Sequence, residues 1–164
     1  MRWGRWKKSE PEEPADHALG RSRGGFSTKI HLVGDGNGNP IHFELSPGEA
    51  HENTTLEDLL NGIDQEMKTG NGEVLPWPIA LAGDKGYRAQ WIDQMLLKIG
   101  VTPVIPSKTN EDRNNRLVDF DKEKYRNRNI IERLIGWLKE SRAVFAKKEK
   151  TATNYAGMIK MAII

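Results

Sequence analysis

The chain has 164 residues, of which 37% are hydrophobic, with 25 Lys/Arg against 23 Asp/Glu and no cysteine. That length sets one domain, or a piece of one, large enough to bury a core. The lack of cysteine excludes disulfides, thiolate metal sites and a cysteine nucleophile. No apolar run approaches the roughly 20 residues of a membrane helix, and Met1-Arg-Trp-Gly-Arg-Trp-Lys-Lys lacks the apolar stretch of a signal peptide, so no membrane association and a cytoplasmic location are expected.

The net charge of +2 conceals segregation: residues 1–31 hold 7 Lys/Arg and 4 Asp/Glu, residues 32–104 hold 4 and 11, and residues 105–150 hold 13 and 8. Two basic ends flank an acidic middle. Brought together, the ends would form a positive surface suited to a phosphate backbone; the plainer reading is a solvated helix face.

Residues 1–20 read as an irregular segment broken by prolines at Glu10-Pro-Glu-Glu-Pro14, and residues 21–164 as the folded part. Trp3 and Trp6 lie among basic residues and could stack on bases, but an unstructured start is the preferred reading. Strand composition over 27–33, a Gly/Asn turn over 34–40 and a second strand over 41–45 predict a β-hairpin. Thr54 and Glu57 have capping-box spacing, which predicts a short helix carrying Leu56, Leu59 and Leu60 and closing near Gly62. Residues 78–82 read as a buried strand. A helix over 89–98, capped by Gly100, and a strand over 101–105 complete a βαβ unit with parallel strands. After a polar loop over 108–116, one long helix is expected over 121–142, and an amphipathic segment over 152–164.

The long helix carries the most information. Tyr125, Arg128, Glu132 and Lys139 stand at offsets 0, 3, 7 and 14, which on a helix of about 100° per residue fall within about 60° of each other. Ile131, Leu134, Ile135 and Leu138 form a separate apolar stripe about 100° away. The helix can bury one stripe and present the other. Upstream, Asp84 follows directly on a predicted strand, where open α/β sheets keep their sites, between glycines that permit close approach. Taken singly, Asp84 is explained as a turn residue and Glu132 as the i,i+4 partner of Arg128. Together, a strand-end Asp and a helix-borne Glu make hard oxygen ligands for Mg²⁺ or Mn²⁺, the ions that assist phosphodiester cleavage.

Gly20-Arg-Ser-Arg-Gly-Gly25, Thr28-Lys-Ile-His31, Gly83-Asp84-Lys-Gly-Tyr87 and Tyr125-x2-Arg128-x3-Glu132-x6-Lys139 resemble the insertion-sequence transposases of the DDE type, and the last pattern is similar to their Y-R-E-K signature. The resemblance covers about residues 17–164. It implies an α/β, RNase H-like catalytic domain with a mixed sheet and flanking helices. It implies Asp84 and Glu132 as catalytic, metal-binding carboxylates for Mg²⁺ or Mn²⁺, and Tyr125, Arg128 and Lys139 as DNA-handling residues near the cleaved phosphate. Arg21 and Arg23 of the glycine-rich segment are assigned DNA contact as well. The implied reaction is metal-dependent strand cleavage and transfer at element ends. The implied partners are double-stranded DNA of the terminal inverted repeats and of the target, with a nucleoid-associated location.

The family's first catalytic aspartate belongs on a strand upstream of the glycine-rich segment. Here the Asp upstream is Asp16, in a proline-rich stretch without a strand around it, and Asp35 falls at a hairpin tip. The domain is therefore expected to be truncated at its N-terminus and inactive alone, and its expected protein partners are a second copy of the chain (a homo-oligomer) or a complementing upstream transposase fragment. An alternative is a catalytically dead regulator that binds DNA or sequesters subunits. His17, His31, His42 and His51 lack zinc-site spacing; His31 and His42 read as packed or hairpin-surface residues, and His51 and Glu52 as neighbours of the site. The Gly34-x-Gly36-x-Gly38 run precedes a strand, which excludes a dinucleotide fingerprint. No serine nucleophile elbow is present.

Overall fold

The structure is a computed structural model that describes residues 18, 20–22, 25–67, 76–112, 116–146, 149 and 151–163. The expected irregularity of the first segment, with Trp3, Trp6, Asp16 and His17, lies almost wholly outside the described residues.

Three strands, β1 (Gly20–Ser22), β2 (Gly25–Gly34) and β3 (Pro40–Pro47), form an antiparallel sheet in that order. The hairpin of β2 and β3 runs in register from Thr28↔Pro47 to Val33↔His42. Its tip is built around Asp35, whose carboxylate accepts the backbone N–H groups of Asn37 and Asn39 at 2.8 Å each. The Asn39 side chain and backbone, and then Asn37, hold the Asp35 carboxyl down to about 2. Gly38, at φ +94°, supplies the left-handed residue such a turn needs. Asp35 is therefore committed to the turn.

Helix α1 (Leu56–Glu66) buries Leu56, Leu59, Leu60 and Ile63. Its start differs from the capping box: a 3₁₀ turn at Glu52–Thr55 leads directly into it, and the Thr54 hydroxyl donates to the His51 carbonyl at 2.7 Å. The helix also continues through Gly62. A Cβ there would sit 2.0 Å from the His42 ring, so the glycine admits β3 rather than ending the helix.

Strands β4 (Ala80–Ala82) and β5 (Thr102–Val104) pair in parallel around helix α2 (Gln90–Lys98), the predicted βαβ unit. The first strand is not buried as expected: Ala80 and Leu81 are half-buried, and Ile79 and Ala82 are exposed. The helix ends as expected: Gly100 takes φ +79°, and Gly100 and Val101 return N–H groups to the carbonyls of Leu97 and Leu96. At the entry to α2, buried Arg88 pairs with Asp93, which has no exposed surface, and with Glu111 of the loop beyond β5.

The expected long helix is three: α3 (Lys122–Arg126), α4 (Asn129–Glu140) and α5 (Arg142–Phe145), followed by α6 (Ala152–Ile163). Asp121 caps α3, its carboxylate accepting from the amides of Glu123 and Lys124. Between α3 and α4 the bonds run i→i+3, from Asn127 to Lys124 and from Arg128 to Tyr125, so the chain tightens to a 3₁₀-like turn without leaving right-handed geometry.

The alternation of β2 divides the core. Ile30 and Leu32 face a cluster of Leu138, Val144, Tyr155 and Ile159 from α4, α5 and α6, while Val33 faces a second cluster from α1, α2 and the residues flanking β5 that includes Leu59, Ile63, Ile92, Leu96 and Ile105. Between the clusters lies a cleft of about 1220 Å³. Its walls include β2 from Thr28 to Gly34 and all of β4. Over that stretch β2 pairs with β3 on one edge, and its other edge has no strand partner among the described residues. The edge of β4 away from β5 is likewise unpaired among them.

Candidate active site

Asp84 stands two residues beyond β4, at the N-cap of a 3₁₀ turn (Lys85–Tyr87), with extended backbone at φ −68°, ψ 159°. The turn is closed by the Tyr87 N–H donating to the Asp84 carbonyl at 2.9 Å, and tied back to the sheet by the Gly83 N–H donating to the Val104 carbonyl at 3.3 Å. The carboxylate is 59% exposed and lines the cleft.

Glu132 lies in the first turn of α4, also 59% exposed. Arg128, immediately before α4, joins it to Asp84: Nη1 lies 2.9 Å from Asp84 Oδ1, and Nη2 donates to Glu132 Oε1. One guanidinium spans both carboxylates, so Asp84 and Glu132 are brought together through Arg128, which lines the cleft with Asp84. The Arg128 guanidinium also lies 5.5 Å from the centroid of the Tyr125 ring, which in turn meets Phe120 edge-on at 5.1 Å. The apolar stripe of α4 faces inward, with Leu134 and Leu138 buried. Lys139 is exposed, reaches the cleft lining and has no ion-pair partner among the described residues. Arg21 lies on β1 with its side chain outside the described atoms, and Arg23 lies outside the described residues.

By chemistry the donor set suits a hard divalent cation: two carboxylates, both open to solvent, within the reach of one side chain. It is also short of donors, since the described residues contain no group of three or more His, Cys, Asp or Glu able to hold a metal.

A buried network behind Asp84 was less legible. His31, 3% exposed, holds Tyr87 Oη at 2.5 Å from Nδ1 and Ser46 Oγ at 2.7 Å from Nε2. Burial pushes its pKa below the ordinary 6.5, with Lys29 acting the same way and Glu52 and Glu44 opposing. Burial, then the charges of Glu52 and Asp84, push the Tyr87 phenol up, so it stays protonated. Lys29 donates to Glu52 at 2.7 Å and to the Ala50 carbonyl at 2.6 Å. The alternating apolar neighbours of His31 signal that it packs inward, but nothing local to the sequence names Tyr87 as its partner.

A mixed α/β scaffold thus carries a strand-end aspartate and a helix-borne glutamate joined through one arginine. The chain matches the family described as Transposase DDE domain over residues 3–164, and it belongs to that family. It is 29% identical over 160 residues to a Burkholderia cepacia protein named as a transposase for insertion sequence element IS402, a match covering 98% of this chain and 68% of that relative. No solved structure matches it. The function is thus that of a DDE transposase: DNA transposition by polynucleotide cleavage and strand transfer, in a family that generally uses divalent metal ions. Among the described residues no helix is long and apolar enough to cross a membrane.

Proposed function

We propose that this chain supplies the distal part of an RNase H-like catalytic unit spanning residues 21–164. In this reading Asp84 and Glu132 are two of the metal carboxylates, taking Mg²⁺ or Mn²⁺, and Tyr125, Arg128, Lys139, Arg21 and Arg23 handle DNA of the terminal repeats and target. The observation that carries the proposal is the cleft between β2 and β4. Two strand edges that have no partner among the described residues line it, and helices bearing apolar residues cover it on both faces. A strand set between them would continue the order β3-β2-strand-β4-β5, and buried on both faces it would read as a near-continuous apolar run. Its end beside Asp84 is where a third carboxylate would complete the metal site.

The chain alone is therefore inactive, and a complementing upstream transposase fragment restores it. The test is Mg²⁺-dependent strand transfer on terminal-repeat DNA by residues 1–164, with and without a polypeptide bearing an apolar strand that ends in Asp. Activity only in the mixture, lost in Asp84→Asn, is expected. Activity of 1–164 by itself would overturn the incompleteness. Lys139, exposed at the cleft, also supports a second reading, a non-catalytic regulator. Repeat-specific footprinting by 1–164, with no activity in any mixture, would favour that reading instead.

A further inference from the structure

Three elements far apart in sequence converge on the underside of the Asp84 turn. From β2 comes His31; from β3, Ser46; from the turn itself, Tyr87. The hydrogen bonds run Tyr87–His31–Ser46 at 2.5 and 2.7 Å, and Ser46 Oγ also lies 3.5 Å from the Pro47 carbonyl, to which it alone can donate. With its proton there, Ser46 accepts from Nε2–H, which leaves Nδ1 to accept the Tyr87 phenol proton. The imidazole is then neutral, and both of its nitrogens are used inside the protein. Nothing in the chemistry of strand cleavage uses His31, yet it is among the few polar groups buried in this fold.

From the other side, the Glu52 carboxylate packs on Gly86. A Cβ at Gly86 would come within 2.9 Å of Glu52 Oε2, so a side chain there would push the Glu52 carboxylate aside. Glu52 is itself fixed by Lys29 of β2. The turn is thus held between a phenol hooked into the sheet and a carboxylate pressed on its glycine. Among the described residues its other attachments are the Gly83-to-Val104 hydrogen bond at the end of β4 and the solvent-open pair of the Asp84 carboxylate with Arg128. A strand of three residues fixes little by itself, so the aim of the Asp84 carboxylate depends on the hook.

We propose that His31 and Tyr87 are positioning residues for Asp84, with Ser46 setting the His31 tautomer and Glu52 buttressing the turn through Gly86. This rests on the reading of Asp84 as a metal carboxylate. Removing the phenol oxygen leaves the ring in place and frees the turn by one hydrogen bond. A loss of about three- to tenfold in divalent-ion affinity is the expected scale.

The test uses the full chain with Mn²⁺ as probe, in the unsubstituted form and as Tyr87→Phe, His31→Leu, His31→Gln and Asp84→Asn. Backbone amide spectra report the Asp84–Gly86 resonances without metal, and Mn²⁺ titration reports affinity. Tyr87→Phe and His31→Leu should shift or broaden those resonances, leave those of α6 in place and weaken Mn²⁺ binding three- to tenfold. His31→Gln, which keeps a donor and an acceptor, should recover part of the affinity. Unchanged turn resonances and affinity within twofold in Tyr87→Phe would overturn the positioning role. Mn²⁺ binding that is equal in the unsubstituted chain and in Asp84→Asn would instead overturn the metal assignment, and the positioning role with it.

Discussion

Arg128 Nη1 sits 2.9 Å from Asp84 Oδ1 while the same guanidinium donates to Glu132. A cation already stands between the two carboxylates that, in the proposed reading, would hold a divalent ion. Both acids are more than half exposed, so each pair is screened and contributes under about 1 kcal/mol. Were a divalent ion held there, Arg128 would be released from the carboxylates, with the Tyr125 ring beside it, and would be available to phosphate. Arg128→Gln should leave the fold intact and raise Mn²⁺ affinity about two- to fivefold at low salt. By titration calorimetry the gain should shrink toward 0.5 M salt. A drop in affinity would mean that Arg128 orders the carboxylates rather than competing for them.

Lys139 offers a charge that no described partner neutralises. Lys139→Ala should weaken DNA binding to any sequence and lower the slope of log affinity against log salt by about 1. Anisotropy titrations at several salt concentrations measure it. An unchanged slope would remove Lys139 from the DNA-facing surface.

The buried His31 makes stability depend on pH. Its folded pKa lies below the unfolded 6.5, so the unfolded chain binds the extra proton first as pH falls. The stabilisation is fully present above about pH 6.5 and is lost as pH falls through the folded pKa, with a slope of up to about 1.4 kcal/mol per pH unit. Tyr87, Ser46, Lys29, Glu52 and Glu44 surround the ring and are the same in His31→Gln. Urea unfolding between pH 7 and pH 5 should therefore fall more steeply in the unsubstituted chain than in that variant.

Arg88 and Asp93 are both almost completely enclosed, and Arg88 also carries Glu111. Arg88→Ala leaves the Asp93 charge inside without a counter-ion and should cost about 3–5 kcal/mol. The double variant Arg88→Met/Asp93→Leu should recover most of it. Chemical denaturation distinguishes the two, and equal losses would place the cost in packing rather than charge.

The hairpin, the βαβ unit and the inward stripe of α4 were legible because each follows from a short-range period. Alternation gives Ile30 and Leu32 one face and His31 and Val33 the other, and Gly100 marks the end of α2 without reference to anything distant. The errors arose where distant contacts decide. Gly62 reads as a helix stop until His42 of β3 is seen packed on it, and the capping box at Thr54 gives way to a 3₁₀ turn tied to His51. The uniform turn assumed for residues 121–142 missed the tightening at Asn127. Arg128, Glu132 and Asp84 nevertheless meet, because side chains of that length absorb a small change in turn. The His31–Tyr87 contact spans 56 positions and left no local pattern to read.

The division of the core into two clusters on either side of an open cleft bears on cooperativity. The two sets of buried side chains are distinct, each closed by its own helices. Heating should therefore disorder the α1–α2–β5 side and the α4–α6 side in separate steps, with a calorimetric enthalpy unequal to the van't Hoff value. Leu96→Ala should lower one step and Ile159→Ala the other, each by about 2–5 kcal/mol. A polypeptide that fills the cleft should fuse the two steps into one transition at higher temperature. The same strand that completes the chemistry would then make a single folding unit of two half-coupled ones.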